Sequence, residues 1–393
     1  MRRYWPLLLF ALVHFLIFLW FAPATPAGQP GRYIFFEYAS RVIHGELPYR
    51  DFPLEYPPLS LLVLLPPRLF AGDLLGYLQV FAWEMLLLDL LGLAVLAAFA
   101  RSLGHSIWGT LLIYTLILLT LGPLVGGRYD LFPAVLTLLA LYAFHRRRHN
   151  FSWAILALAI MAKLYPVVLV PLFALSSLRG RECSCLVGGV LAFLLTMGLI
   201  VAPCLWLSPA GLWHSFSYHL ERGLQLESTY ASFLLLEHTF GSTSLGLSFD
   251  HGAWHLSSPL ANALASLSPI FMGLASLAVY LLYWKRGWTT FGGEVNYALL
   301  AILAFVLTSK VLSPQFLIWL SPLIPLVSGR WRQACWPPFL LAGFLTQYIF
   351  PAHYPELTSG APKLIDVLLW RNLLLFLLAG LLLERPGETS SSP

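Results

Sequence analysis

The chain has 393 residues, of which 59% are hydrophobic and 10% are charged, and its formal net charge is +5. Soluble proteins contain roughly 45–50% apolar and about 25% charged residues, so this composition excludes a soluble globular enzyme and a disordered chain. Apolar runs extend almost from end to end, which favours a single integral membrane domain over residues 1–393. The basic residues are scattered and form no extended face, so no nucleic-acid partner is expected.

The first apolar run ends at Phe21 and follows two arginines. A cleaved signal peptide has a similar pattern, but the many hydrophobic segments behind this run favour an uncleaved first membrane span.

Apolar runs of about 20 residues predict membrane-crossing helices. Such runs cover residues 4–21, 74–100, 107–122, 131–144, 186–207, 259–284, 295–308, 316–327, 337–350 and 364–383. Residues 151–178 are long for one span and are interrupted by Lys163 to Pro166, which predicts two short helices with a break at the proline. The expected fold is an all-α polytopic bundle of about 12 spans.

Basic residues concentrate in alternate short loops, which predicts that both termini and the tail 384–393 are cytoplasmic. Residues 22–58 and 208–258 are then long outer loops that contain short interfacial helices. Residues 57–70 include two adjacent prolines and an arginine, so we expect an interfacial segment there. A full span at 57–70 would place the Arg146 to Arg148 cluster outside, against the charge rule.

Acids and tyrosines are concentrated in the first outer loop, beside prolines that stiffen the backbone. A carboxylate held on such a frame at the membrane surface could act as a general base. The alternative is a solvated loop in which these acids pair with Arg32, Arg41 and Arg50.

Cations precede predicted inward-running helices at three further outer positions. Arg128 precedes Pro133, Lys163 precedes Pro166 and Lys310 precedes Pro314. Helix N-termini favour anions, so convergence of these three ends would form a phosphate site. The alternative is that each cation simply reaches the lipid headgroups.

The second outer loop carries polar residues that could bind a sugar or phosphate, among them His219, Arg222 and Glu227. An amphipathic interfacial helix would explain them equally well. Glu84 and Asp89 lie inside a predicted span and share no helix face, so they are either functional or structurally paired.

Metal and cofactor motifs are missing from the sequence. Cys183 and Cys185 lack the second pair that a zinc site would need, and Cys204 and Cys335 have no framework spacing. There is no glycine-rich phosphate loop and no His-Glu-x-x-His pattern, which argues against nucleotide hydrolysis and zinc peptidase chemistry. No metal site and no cofactor are expected.

Five stretches in order resemble the polyprenyl-phosphate-sugar-dependent membrane glycosyltransferases of the C superfamily, in particular the bacterial polymannosyltransferase-like family. They are residues 45–51 with 55–59, 128–132, 162–166, 219–228 and 313–319. This resemblance implies transfer of a hexose, with mannose preferred, from a polyprenyl-phosphate sugar to a lipid or cell-envelope acceptor. It also implies inversion, and an active site at the extracytoplasmic face of the cell membrane.

The resemblance assigns provisional roles to matching residues. A first-loop acid (Glu55, Asp51 or Glu37) would be catalytic, and Lys163, Lys310, Arg128 and Arg222 would bind the donor phosphate. The expected substrate-binding residues are Tyr49, Tyr56, Asp130, Tyr165, His219, Gln225, Glu227 and Gln315. Relatives carry an early first-loop aspartate where this chain has Gly31, which leaves the identity of the base open.

Two other functions stay open from the sequence. A transporter or lipid flippase also has many spans, and its paired broken helices could be those at Lys163 and Lys310. An inactive relative that binds polyprenyl phosphate would explain Gly31.

Overall fold

The computed structural model describes residues 5–21, 33–241, 245–286, 292–329 and 332–383. Gly31, part of the predicted first loop and the predicted tail lie outside these ranges. Nineteen α-helices are present in the described part. They are α1 (Trp5–Phe21), α2 (Tyr33–Ile43), α3 (Leu61–Leu64), α4 (Pro66–Phe70), α5 (Leu74–Ser102), α6 (Ile107–Leu121), α7 (Pro123–Gly127), α8 (Leu131–His145), α9 (His149–Ala162), α10 (Val170–Arg179), α11 (Cys183–Leu207), α12 (Pro209–Glu221), α13 (Thr229–Phe240), α14 (Pro259–Arg286), α15 (Gly293–Thr308), α16 (Phe316–Leu320), α17 (Arg332–Gln347), α18 (Tyr354–Thr358) and α19 (Pro362–Leu383).

Single turns of 3₁₀-helix occur at Pro58–Ser60, Tyr165–Leu169 and Ile324–Leu326, and a π-helical turn at Tyr348–Ala352. A small antiparallel sheet is formed by β1 (Leu224–Gln225), β2 (Gly246–Asp250) and β3 (Ala253–Ser257), with β3 in the middle. The register pairs Gln225 and Ser248 with His255. This sheet lies within the predicted second outer loop, so the all-α prediction is wrong there.

Four helices in the described ranges are long and apolar enough to cross a membrane: α5, α11, α14 and α19. Almost none of α11 is buried, although its 25 residues are strongly apolar. Such a surface is stable in lipid and not in water. The chain is therefore a helical membrane protein. The other apolar helices are shorter, and the number of twelve spans stays a prediction.

Helix boundaries follow local chemistry. Asp73, Ser106, Ser208 and Ser228 cap the N-termini of α5, α6, α12 and α13 through side-chain oxygens that accept backbone N–H groups, as short polar side chains do at helix starts. The break in residues 151–178 is at Lys163, whose backbone is extended before the turn that contains Pro166. The sequence predicted this break.

One predicted span differs from the observed elements, and the predicted interfacial segment consists of short turns. Residues 316–327 form α16, a turn and the 3₁₀ segment Ile324–Leu326, because Pro322 and Pro325 interrupt a continuous helix. Residues 58–70 form three short helical turns broken before Pro66. The prediction of a single helix at 316–327 is wrong. Residues 58–70 contain no continuous helix long enough to span a membrane.

The core of the bundle contains α9 between α8 and α11, and α17 between α6 and α19. Gly189 of α11 makes this packing possible, because a Cβ there would lie 2.2 Å from the Trp153 ring of α9.

A buried polar network also joins α1, α5 and α6. The His14 Nδ1 lies 2.5 Å from the Asp89 carboxylate, and the Tyr114 hydroxyl donates to the same carboxylate at 2.8 Å. Asp89 is thus structurally paired.

Candidate functional site

A cavity of about 450 Å³ lies where the first loop, the ends of α8 and α9, α12, the sheet and the region around α16 meet. Twelve of the fifteen predicted site residues line it. They are Glu55, Tyr56, Arg128, Asp130, Lys163, Tyr165, His219, Arg222, Gln225, Glu227, Lys310 and Gln315. The tertiary structure thus brings together four separate stretches of chain that carry a cation.

Asp130 and Lys163 form the best-defined polar contact of the cavity wall. The Lys163 ammonium donates to the Asp130 Oδ1 at 2.6 Å, and the Trp319 indole donates to the same oxygen at 2.7 Å. Trp319 also stacks on Tyr165 with ring centroids 4.2 Å apart. Burial lowers the pKa of Lys163, and the Asp130 charge opposes this shift. The aspartate therefore helps to keep a buried ammonium charged.

Glu55 is a half-buried residue of the same cavity wall. The phenol groups of Tyr56 and Tyr218 lie beside its carboxylate. The His219 Nε2 donates to the Glu55 backbone carbonyl at 3.1 Å, which fixes the loop against α12. Burial, followed by the nearby Arg222, lowers the pKa of His219 to about 4. His219 is therefore neutral near pH 7.

Lys310 and Arg222 form a second cationic region. The Lys310 ammonium donates to the Leu220 carbonyl at 2.7 Å, and burial and Arg222 lower its pKa. The Nε of Arg222 is buried without a hydrogen-bond partner among the described residues. Buried donors in native proteins almost always have a partner, so this atom is available to a ligand.

Gln225 and Glu227 act chiefly as wall residues. Gln225 Oε1 accepts the Leu312 N–H at 3.0 Å, and the Gln225 N–H donates to the Lys310 carbonyl at 2.9 Å. Glu227 is buried beside Arg371 of α19, with Oε2 3.6 Å from its guanidinium. Burial raises the pKa of Glu227 to about 7, and Arg371 opposes the shift. Sequence analysis did not select Arg371, which lies inside a predicted span and outside the motif stretches.

Three predicted residues do not line the cavity. Asp51 is exposed and bonded to Arg50 at 2.9 Å, which lowers the pKa of that carboxyl. Glu37 is half-buried on α2, away from the lining. Tyr49 is buried behind the wall, where its hydroxyl donates to the Tyr56 carbonyl at 2.6 Å. Of the three candidate acids, Glu55 is the one that lines the cavity.

Aromatic residues that sequence analysis did not select form much of the remaining wall. Tyr129 is 1% exposed, contacts the Lys163 ammonium at 4.5 Å from its ring centroid, and has no hydrogen-bond partner for its hydroxyl among the described residues. Trp319, Tyr354 and the hairpin residue Trp254 also line the cavity. Tyr129 and Trp319 each lie in one of the motif stretches. Their position in these stretches was the sequence signal that could have selected them.

Together the fold and cavity define a helical membrane protein with a cationic, aromatic-lined site that contains one half-buried carboxylate. No protein-family model matches the chain. The chain is 24% identical over 298 residues to GPI mannosyltransferase 1 of Kluyveromyces lactis, an alignment that covers 75% of this chain and 70% of that protein. This similarity supports the general class of membrane glycosyltransferases of the C type.

Proposed function

We propose that this protein is a membrane mannosyltransferase that transfers mannose from a polyprenyl-phosphate sugar to a hydroxyl of a lipid or cell-envelope glycan. The reaction takes place in the 450 Å³ cavity at the outer membrane face. The similarity to a yeast mannosyltransferase supports the sugar. The chemistry of the cavity supports an anionic, lipid-linked donor, as the following paragraphs argue.

The observation that carries the proposal is one half-buried carboxylate in the same cavity as four cations. The other two lining carboxylates, Asp130 and Glu227, are buried beside Lys163 and Arg371. Among the described residues of the first loop, Glu55 is the acid that lines this cavity together with Arg128, Lys163, Arg222 and Lys310. A glycosyl transfer with inversion needs one base on the acceptor side and positive charge on the leaving-group side. The site supplies both.

Glu55 is the proposed general base. Its carboxylate accepts the acceptor hydroxyl proton as that oxygen attacks the anomeric carbon of the donor. The bond from the anomeric carbon to the phosphate oxygen breaks, and the electron pair leaves with the polyprenyl phosphate. The neighbouring phenol groups of Tyr56 and Tyr218 restrict the orientation of the carboxylate, which favours productive geometry.

The cations stabilise the departing phosphate. Asp130 holds Lys163 at the cavity wall. Arg128 lies on a neighbouring loop of the same lining. The partnerless Arg222 Nε and Tyr129 hydroxyl are two buried donors that a phosphate or sugar oxygen would satisfy. Apolar rings of the same lining, Phe305 and Phe350, offer a surface for the first isoprene units.

The direct test compares three acids in membranes supplied with polyprenyl-phosphate mannose and acceptor lipid extract. The Glu55→Gln substitution keeps an oxygen for the tyrosine hydroxyls but cannot take a proton, so product formation is expected to fall roughly 10²–10⁴-fold. Asp51→Asn and Glu37→Gln are the matched controls from the same loop. They are expected to stay within about threefold of the parent, since neither side chain lines the cavity.

Normal transfer by the Glu55→Gln variant, or loss of transfer only in Asp51→Asn, would contradict the assignment of the base. The same assay separates the other functions. Movement of labelled sugar across sealed vesicles without a new glycosidic product would identify a transporter, and donor binding without product would identify an inactive relative.

A further inference from the structure

Two turns at the end of the bundle away from the cavity have the same backbone design. In the α8–α9 turn the Arg148 N–H donates to the Ala143 carbonyl and the Arg147 N–H to that of Phe144. In the α10–α11 turn the Glu182 N–H donates to the Ser177 carbonyl in the same way. Arg147 and Arg181 both have left-handed backbones, with φ 57° and 55°. These are Schellman helix ends, and each is followed directly by a new helix.

This repeated design places the starts of α9 and α11 side by side. His149 is the first residue of α9, Glu182 is the N-cap of α11 and Cys185 is in the first turn of α11. Their metal-ligating atoms all lie within 4.8 Å of one another. Because they come from two loops, the chain spacing does not reveal the cluster, and sequence analysis predicted no metal site.

The His149 imidazole is the second, independent observation. Its side chain is 10% exposed, its Nε2 lies 3.2 Å from the Glu182 Oε2, and its Nδ1 has no hydrogen-bond partner within the described ranges. The other carboxylate oxygen, Oε1, pairs with Arg147. That pair orients the carboxylate so that Oε2 faces His149, as outer partners of metal ligands do.

We propose that His149, Glu182 and Cys185 bind a Zn²⁺ ion that joins the α8–α9 and α10–α11 turns. Zn²⁺ takes imidazole nitrogen, thiolate sulfur and carboxylate oxygen, with four ligands in a tetrahedron. Water completes the coordination, since all three side chains are partly accessible. A thiolate ligand disfavours Mg²⁺ and Ca²⁺, which prefer oxygen. The site lies one helix length, roughly 20 Å, from the cavity, so it takes no direct part in sugar transfer.

The test uses the full chain purified in detergent after dialysis against chelator. One equivalent of Zn²⁺ is added, and bound metal and apparent melting temperature are measured. Co²⁺ is added separately, because a thiolate ligand gives it a near-ultraviolet charge-transfer band. We expect one bound Zn²⁺, a higher melting temperature and this band. Cys185→Ser is expected to remove the band and to weaken Zn²⁺ binding at least about 100-fold. Loss of a direct ligand lowers metal affinity more than loss of an outer hydrogen-bond partner does.

Cys183→Ser is the matched control, because Cys183 is an exposed free thiol two residues earlier in the chain. It is expected to keep both the Co²⁺ band and the Zn²⁺ stoichiometry. His149→Gln is expected to keep the thiolate band but to bind Zn²⁺ more weakly. Three outcomes would overturn the site: no bound Zn²⁺ in the parent, full binding by Cys185→Ser, or equal loss in both cysteine variants. Metal binding is measured only for variants that are monodisperse in detergent. The Co²⁺ spectrum of the parent protein tests for the thiolate ligand without any variant.

Discussion

The Lys163 ammonium and the Asp130 carboxylate form a 2.6 Å ion pair that joins the end of α9 to the start of α8. Asp130 is almost fully buried, whereas Lys163 keeps one face toward the cavity. A buried pair of this kind loses its solvation, and the Coulomb attraction and the Trp319 hydrogen bond offset that loss. The aspartate therefore positions the lysine, and the lysine faces the cavity.

Replacing Lys163 by Met is expected to lower mannosyl transfer about 10²–10³-fold, the range found when one transition-state donor is removed. Asp130→Asn is expected to cost less, because the lysine remains while its orientation is lost. The measurement is kcat/KM with polyprenyl-phosphate mannose. Equal activity in Lys163→Met and parent would contradict a phosphate-binding role for this cation.

Tyr129→Phe separates stability from activity. The Tyr129 hydroxyl is buried without a partner in the described part of the chain, and an unsatisfied buried hydroxyl costs about 1–3 kcal/mol. Its removal is expected to leave the melting temperature equal or higher while it lowers transfer about tenfold through the loss of one hydrogen bond to the donor. A lower melting temperature with unchanged transfer would show that the hydroxyl serves only the fold.

Asp89→Ala tests the buried network of α1, α5 and α6. The substitution leaves His14 and Tyr114 without their common acceptor, which is expected to cost about 3–5 kcal/mol. Glu84→Gln on the same helix is the matched control, since the Glu84 Oε2 has no hydrogen-bond partner among the described residues. Thermal unfolding in detergent checks both. Comparable melting temperatures for the two variants would refute a structural role for Asp89.

His219→Gln tests the pH dependence of stability. The pKa of His219 falls from 6.5 to about 4 on folding because the ring is buried, so the unfolded chain binds a proton first as pH falls. Stability is therefore fully present above pH 6.5 and decreases as pH falls toward 4. The Gln variant is expected to lose less stability over this interval than the parent. His255, whose pKa is also lowered to about 4, contributes a slope of the same sign.

The candidate site was partly predictable. Lys163 interrupts a long apolar run. A charged residue in such a run is energetically costly and usually functional or paired, so the lysine and the proline break could be identified from the sequence. The choice among Glu37, Asp51 and Glu55 was not. It depends on the turn at residues 47–51, where the Leu47 N–H and Arg50 hold the Asp51 carboxylate outward. A side-chain direction of this kind results from several contacts at once.

The sequence by itself determined the membrane environment, most helix boundaries and the stretches that carry charge, because hydrophobic runs, caps and prolines act over a few residues. Only the tertiary structure decided which charges meet. The Trp319 indole donates to the Asp130 Oδ1 although the two residues are far apart in the chain. His149 and Cys185 lie close together because two separate turns meet. Such contacts depend on how helices pack against one another, and a local pattern contains no information on that packing.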